Sequence, residues 1–214
     1  MITIEKFVFS PFYENTYLLF DESGECVVID PGCFEPAEEI ELADFISKNN
    51  LKPVRQIFTH CHIDHIFGAN FIFGKYNLKP EIHKAALPFL LRGNEQAKVY
   101  GFNMPKVVEP ESFIEEGDKI KFGSSELDVV YTPGHADGSV CFINHPQKFV
   151  ITGDVLFQGS IGRTDFQTGD FDLLMQSIKT KLYVLPDDFT VYAGHGESTT
   201  IGFEKKNNPF VKGF

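Results

Sequence analysis

Between Thr59 and His65 the chain reads Thr-His-Cys-His-Ile-Asp-His, so His60, His62, Asp64 and His65 fall within six residues. Imidazole nitrogen and carboxylate oxygen are the donors that hold a hydrolytic divalent metal. Four such donors cannot saturate two ions, so partners are expected further along the chain. Cys61 sits between two of the histidines and is a possible soft donor. In an extended segment, however, alternate side chains point to opposite faces, so a buried, inert thiol is the better expectation.

Three later residues share one local context. His135 follows a strand-like run through Thr132-Pro133-Gly134, Asp154 follows another through Gly153, and His195 follows a third through Gly194. A glycine beside each lets the backbone turn sharply or approach closely. Loops at strand ends are where layered α/β proteins build their sites. Four strand ends meeting at one edge would bring together His60, His62, Asp64, His65, His135, Asp154 and His195. The alternative is a set of ordinary polar loop residues, which such density and repetition disfavour.

The elements that must carry these residues are legible in outline. Strand-like segments occupy residues 2–9, 16–20 and 26–29, with a turn at Asp21-Glu22-Ser23-Gly24. Pro36 and the acidic stretch 35–41 predict a helix running to about residue 50. A short buried strand at 54–58 leads into the histidine cluster. A helix is expected from about 65 to 76, then a strand near 81–83 and a short helix over 85–91. A hairpin over 120–131 and strands at 140–143 and 149–152 follow. Phe171, Leu174, Met175, Ile178 and Leu182 recur at helical spacing. Residues 190–193 form the last expected strand. Antiparallel strands followed by strand–helix units indicate a layered α/β fold.

A chain of 214 residues with 43% apolar composition can bury a full core, and no linker-like stretch divides it. One domain over residues 1–214 is therefore expected. The formal charge of −11 argues against a nucleic-acid partner, which calls for Lys and Arg on one face. The first ten residues include Glu5 and Lys6 and lack a signal-peptide core, and no run is apolar enough to span a membrane. Cys26, Cys33, Cys61 and Cys141 show no C-x-x-C spacing, which suits reduced thiols in the cytoplasm. Nothing in the chain sets an oligomeric state.

The order Thr-His-x-His-x-Asp-His, Gly134-His135, Gly153-Asp154 and Gly194-His195 resembles the metallo-β-lactamase superfamily. The resemblance runs from Val28-Ile29-Asp30-Pro31-Gly32 to Gly194-His195-Gly196. Within it, Gly159-Ser160-Ile161-Gly162-Arg163-Thr164-Asp165-Phe166 looks like the glyoxalase II (hydroxyacylglutathione hydrolase-like) enzymes. The likeness is to their short bacterial type lacking the helical C-terminal domain, since Phe214 lies 19 residues beyond His195. The longer enzymes bind glutathione with that domain.

This resemblance implies a four-layer αββα sandwich and two divalent ions, zinc first, with iron or manganese as alternatives. His60, His62 and His135 would hold one ion, Asp64, His65 and His195 the other, and Asp154 would bridge them. Two dications, two aspartates and one hydroxide leave such a centre cationic, as attack on a carbonyl requires. Asp30 would support a ligand histidine by a hydrogen bond, against a simple turn role. The implied reaction is cleavage of a small thioester, such as an S-acylglutathione, by a metal-bridging hydroxide, with Asp64 also orienting it. Arg163 would meet an anionic substrate group or pair with Asp165. His83 and His145 read as structural and surface residues, and Tyr13 and Asn15 as possible pocket neighbours.

Two other activities compete. The run Gly162–Gln167 is also similar to persulfide dioxygenases of the superfamily, which use one iron held by two His and an Asp. Here those would be His60, His135 and Asp154. Ile161 stands where those enzymes tend to carry Cys, so hydrolysis leads. An RNA-processing nuclease is a third reading, opposed by the charge. β-Lactamase activity is not expected.

Overall fold

A computed structural model describes residues 1–211, so the last three positions of the expected 1–214 domain lie outside the described residues. Its first half contains β1 (Thr3–Phe9), β2 (Glu14–Phe20), β3 (Glu25–Ile29), α1 (Pro36–Lys48) and β4 (Lys52–Ile57). Then come α2 (Ile63–Ile66), α3 (Ala69–Tyr76), β5 (Pro80–His83), α4 (Leu87–Val99) and β6 (Ser112–Ile114). The second half contains β7 (Lys119–Phe122), β8 (Ser125–Tyr131), β9 (Val140–Asn144), β10 (Phe149–Gly153), β11 (Leu156–Phe157) and β12 (Ser160–Ile161). It continues with α5 (Phe171–Ser177), β13 (Thr190–Ala193), β14 (Thr199–Thr200) and α6 (Ile201–Asn207).

Strands β1 to β6 form one sheet in chain order, antiparallel through β3 and parallel from there on. The second sheet has the order β14-β13-β10-β9-β8-β7, with β10 and β13 its parallel pair. Alternation along the strands sorts side chains between two faces. Tyr17, Leu19, Val27 and Ile29 meet Ile120, Leu127, Phe142 and Ile151 in a core between the sheets. Leu18 and Val28 face the other way, onto Leu42 and Ile46 of α1 and Ile72 of α3. On the far side, Ile143 and Val150 pack on Leu174, Ile178 and Leu182 of α5 and the wider turn that continues it. The result is the four-layer αββα sandwich.

Local chemistry accounts for the main boundaries. Helix α1 begins with Pro36 in its first turn and a reciprocal capping box between Glu35 and Glu38. The single helix expected over 65–76 is instead two, α2 and α3. Gly68 lies at the break, packed so closely on the loop after β3 that a Cβ there would meet Cys33 Sγ and the Pro31 carbonyl. Its N–H donates to that carbonyl at 2.7 Å, pinning the break to the loop after β3. Helix α4 runs to Val99 rather than to 91. Strand β6, the β11–β12 ribbon, β14 and α6 were not expected at all; each is too short to show a period. Among the described residues no helix is long and apolar enough to cross a membrane.

Candidate metal centre

Strand β4 delivers the histidine cluster to the sheet edge, and Asp30, just past β3, fixes it there. The Asp30 backbone is left-handed, with φ of 49°, and its carboxylate turns back into the protein. It accepts hydrogen bonds from the Thr59 N–H at 2.7 Å and the Thr59 hydroxyl at 2.6 Å, and lies 3.0 Å from His65 Nδ1. The last contact leaves His65 Nε2 facing the centre. His60 is oriented likewise, with Nδ1 3.1 Å from Thr59 Oγ1.

The second sheet supplies the remaining residues. Gly134, at φ of 127°, ends the run after β8 and aims His135, whose Nδ1 lies 2.8 Å from the Arg163 carbonyl. Gly153, at φ of 48°, turns Asp154 inward from the end of β10. His195 follows β13, and its Nδ1 lies 3.2 Å from the Tyr13 carbonyl. Asn15 is buried and donates to the Ala193 and Gly196 carbonyls, both at 2.9 Å, so it braces that loop and does not border the cleft.

All seven sequence-derived residues converge. His60 Nε2 and His135 Nε2 lie 3.1 and 3.0 Å from His62 Nδ1. His195 Nε2 lies 3.1 Å from Asp64 Oδ2, and His65 Nε2 lies 3.7 Å from the same oxygen. In each of the groups His60/His62/His135 and Asp64/His65/His195 the donor atoms fall within 4.8 Å of one another. Asp154 stands between the groups: its Oδ2 is 3.6 Å from both His135 Nε2 and His195 Nε2, and its Oδ1 is 3.4 Å from His65 Nε2. Asp30, His60 and His65 also satisfy the spacing, but the Asp30 carboxylate is already committed to Thr59 and His65.

The imidazoles of the two groups are shifted in opposite directions. Burial, reinforced by neighbouring imidazoles, holds His60 well below the usual imidazole range and pushes His62 down to about 3. His135 is also lowered, burial being the main cause. Burial opposes protonation of His65 as well, but the Asp64 and Asp154 carboxylates and the Asp30 hydrogen bond outweigh it and raise that imidazole well above the usual value. His195 is raised in the same way against burial, through Asp64 and Asp154. Burial would raise both aspartates, yet the surrounding imidazoles hold Asp64 and Asp154 below the carboxylate range.

Other residues singled out from the sequence stand outside this centre or at its rim. Arg163 borders the cleft and pairs with Asp165 through two contacts of 2.7 and 2.6 Å. His83 stacks on Tyr131 at 4.4 Å and accepts from the Ala85 N–H, a structural role. His145 is a surface residue 3.6 Å from Asp128. Cys61 is buried, with burial holding its thiol far above the normal range. Sequence reasoning missed Glu14, fully buried and 3.9 Å from His65 Nδ1. It also missed the walls of the cleft, about 410 Å³, in which Phe12, Phe89, Val99, Tyr100 and Phe166 take part.

Compared with known proteins, residues 10–195 match the model of the metallo-β-lactamase superfamily. The chain belongs to the metallo-β-lactamase superfamily. It is 37% identical to the hydroxyacylglutathione hydrolase GloC of Haemophilus influenzae, over 98% of this chain and 98% of that protein. A crystal structure of the BLEG-1 B3 metallo-β-lactamase superposes with a TM-score of 0.90 at 30% identity, covering 99% of this chain and 100% of that one. The di-iron-bound form of TTHA1623 gives a TM-score of 0.87 at 34% identity, over 96% of this chain and 99% of that one.

Metallo-β-lactamase superfamily proteins bind divalent metals, and the residues here fit such ions on three structural counts. His65 Nε2 and Asp154 Oδ1 are buried with no hydrogen-bond partner among the described residues. Three imidazole nitrogens converge at His62 Nδ1, where one proton cannot serve all three lone pairs but a cation can. A Cβ on Gly194 would lie 2.2 Å from Asp154 Oδ1 and 2.8 Å from His65 Cε1, so a glycine keeps the cradle open.

Proposed function

We propose that this metallo-β-lactamase superfamily protein is a binuclear thioester hydrolase of the glyoxalase II kind. The observation that carries the reading is the pair of three-donor clusters linked by Asp154 at the floor of an apolar cleft. In it His60, His62 and His135 would hold one divalent ion and Asp64, His65 and His195 the other, with Asp154 available to both. When bound, the ions supply an activated water at neutral pH and compensate charge on the carbonyl oxygen.

The chain's own residues do the rest. Asp64, poised against His195, orients the attacking water. The aromatic side chains along the cleft give the substrate apolar contact beside the centre. A C–O bond forms as the C–S bond breaks, giving a carboxylate, a thiol and one released proton. A thiolate leaves without prior protonation, so the cleft needs no strong general acid. The 37% identity to a hydroxyacylglutathione hydrolase supports this substrate class. Zinc is the expected metal. Four buried, unpaired cysteines agree with a reducing compartment, the cytoplasm.

The test combines metal quantitation on the purified protein with S-lactoylglutathione hydrolysis. Two ions per chain and thiol release are expected, and Asp154→Asn should lower kcat by at least about 100-fold by weakening both ions. One iron per chain with oxygen uptake on glutathione persulfide would replace this reading with the dioxygenase. A β-lactam belongs in the same assay because of the likeness to the BLEG-1 enzyme. Its amine leaving group needs a proton, so no appreciable β-lactam turnover is expected.

A further inference from the structure

The wall of the cleft is assembled from three separate stretches of chain. Phe12 comes from the turn between β1 and β2, Phe89 and Val99 from α4, Tyr100 from the residue after α4, and Phe166 from the loop after β12. The rings start at the metal centre itself. Phe166 and Phe89 both stand nearly perpendicular to the His62 ring, with centroids 5.4 and 6.0 Å away. They continue outward to Tyr100, which is 51% exposed and edge-on to Phe12 at 6.3 Å. A group attached to a carbonyl at the centre would therefore lie among aromatic rings.

Apart from the proposed metal ligands, the polar side chains lining the cleft are Gln96, Arg163 and Gln167. Arg163 is the one Lys or Arg among the described residues that line it. Its guanidinium is held by both Asp165 oxygens and lies 4.0 Å over the Phe166 ring. That ion pair is exposed and offsets the Arg163 charge only in part, while the guanidinium covers one face of Phe166. With a chain of net charge −11, an anionic carrier gains little attraction at the cleft wall.

We propose that the cleft selects thioesters bearing a flat, apolar acyl group of the aryl or arylalkyl class, independently of a glutathione carrier. The proposal rests on the thioester-hydrolase reading and narrows it to a substrate class. The ring contacts available from Phe89, Tyr100 and the side of Phe166 that Arg163 does not cover favour a planar ring. A cleft of about 410 Å³ is also large enough for an aromatic acyl group beyond the ester. A small hydroxyacyl group leaves these faces wet.

The experiment compares phenylacetyl and lactoyl thioesters, each carried on N-acetylcysteamine and on glutathione, with the metal-loaded protein. At least a ten-fold higher kcat/KM is expected for phenylacetyl on either carrier, expressed mainly in KM. Phe166→Ala and Tyr100→Ala should each narrow that ratio several-fold by raising the phenylacetyl KM. Equal or better use of the lactoyl thioesters, or a proportional loss on both acyl groups in the variants, overturns the proposal. If the loaded protein turns over no thioester, the hydrolase reading fails, and calorimetric titration with the thioether S-phenethyl-N-acetylcysteamine decides the cleft separately. Saturable binding weakened by Phe166→Ala upholds an aryl site, and absence of binding overturns it.

Discussion

Asp30 touches no substrate, yet three hydrogen-bonding contacts converge on its carboxylate, and all of them set the geometry of the histidine cluster. Asp30→Asn keeps a residue tolerant of the left-handed backbone while weakening the grip on Thr59 and His65. Metal affinity should fall about 10–100-fold, read by competition with a chromophoric chelator. The imidazoles predict an order of metal loss on acidification. His65 and His195 are raised and take protons at higher pH, whereas His60, His62 and His135 are lowered and stay neutral to lower pH. As pH falls, protons should displace the ion at Asp64/His65/His195 first. Dialysis at stepped pH with metal analysis should show a one-ion plateau; simultaneous loss of both would contradict it. The seven converging residues were legible because each carries a rare side chain at a strand end beside a glycine. Phe12, Phe89 and Tyr100 were not, because an aromatic at the cleft wall looks like any core aromatic until the chain folds.

At the scale of elements, the strand-end glycines have separable tasks. Gly153 needs its left-handed backbone, and a Cβ there would lie 2.2 Å from Thr59 Oγ1. Gly153→Ala should therefore lose both stability, by about 1–3 kcal/mol, and metal binding. Gly194 lies outside the left-handed region, but its Cβ would enter the metal cradle. Gly194→Ala should unfold closer to the parent temperature while binding metal weakly. Parallel thermal melts and metal titrations distinguish the two. The long strands and α1 were readable from alternation, turn residues and a capping box. The break between α2 and α3 was not, since Gly68 answers to a Cys33 and Pro31 contact made only after folding. The end of α4 was missed because Gly93, which is buried, and the polar residues around it dilute its period. Helix α6 is short, and its buried Glu204 looks out of place until the Gly159 N–H and the Thr199 hydroxyl are seen to donate to it.

For the whole molecule, the centre lies on the seam between the two sheets. Each proposed ion draws donors from the β4–α2 region of the first sheet and from a loop of the second, as in the His62–His135 pair, 73 residues apart. Removing the ions should therefore loosen the joint between the sheets while leaving each intact. At an ion concentration of 100 times Kd, one site contributes about 2.7 kcal/mol. Chelation should then lower Tm by about 5–10 °C per ion for a chain of this size, measured by scanning calorimetry with and without chelator. The layered architecture itself was legible as a class, because antiparallel strands followed by strand–helix units leave few alternatives. The order of the second sheet was not, since its parallel pair β10 and β13 is joined across a long excursion through the ribbon and α5.

That seam also sets a timetable for the cell. A growing chain that has emitted only its first sheet would own two donors for each proposed ion and could close neither set. His195, needed for the second, arrives with the last long strand. With donors drawn from both sheets, a full set forms only when the two sheets meet, and the choice of ion then falls to what the surroundings offer. Refolding under chelation and then supplying zinc, iron or manganese separately should yield one fold with three different fillings.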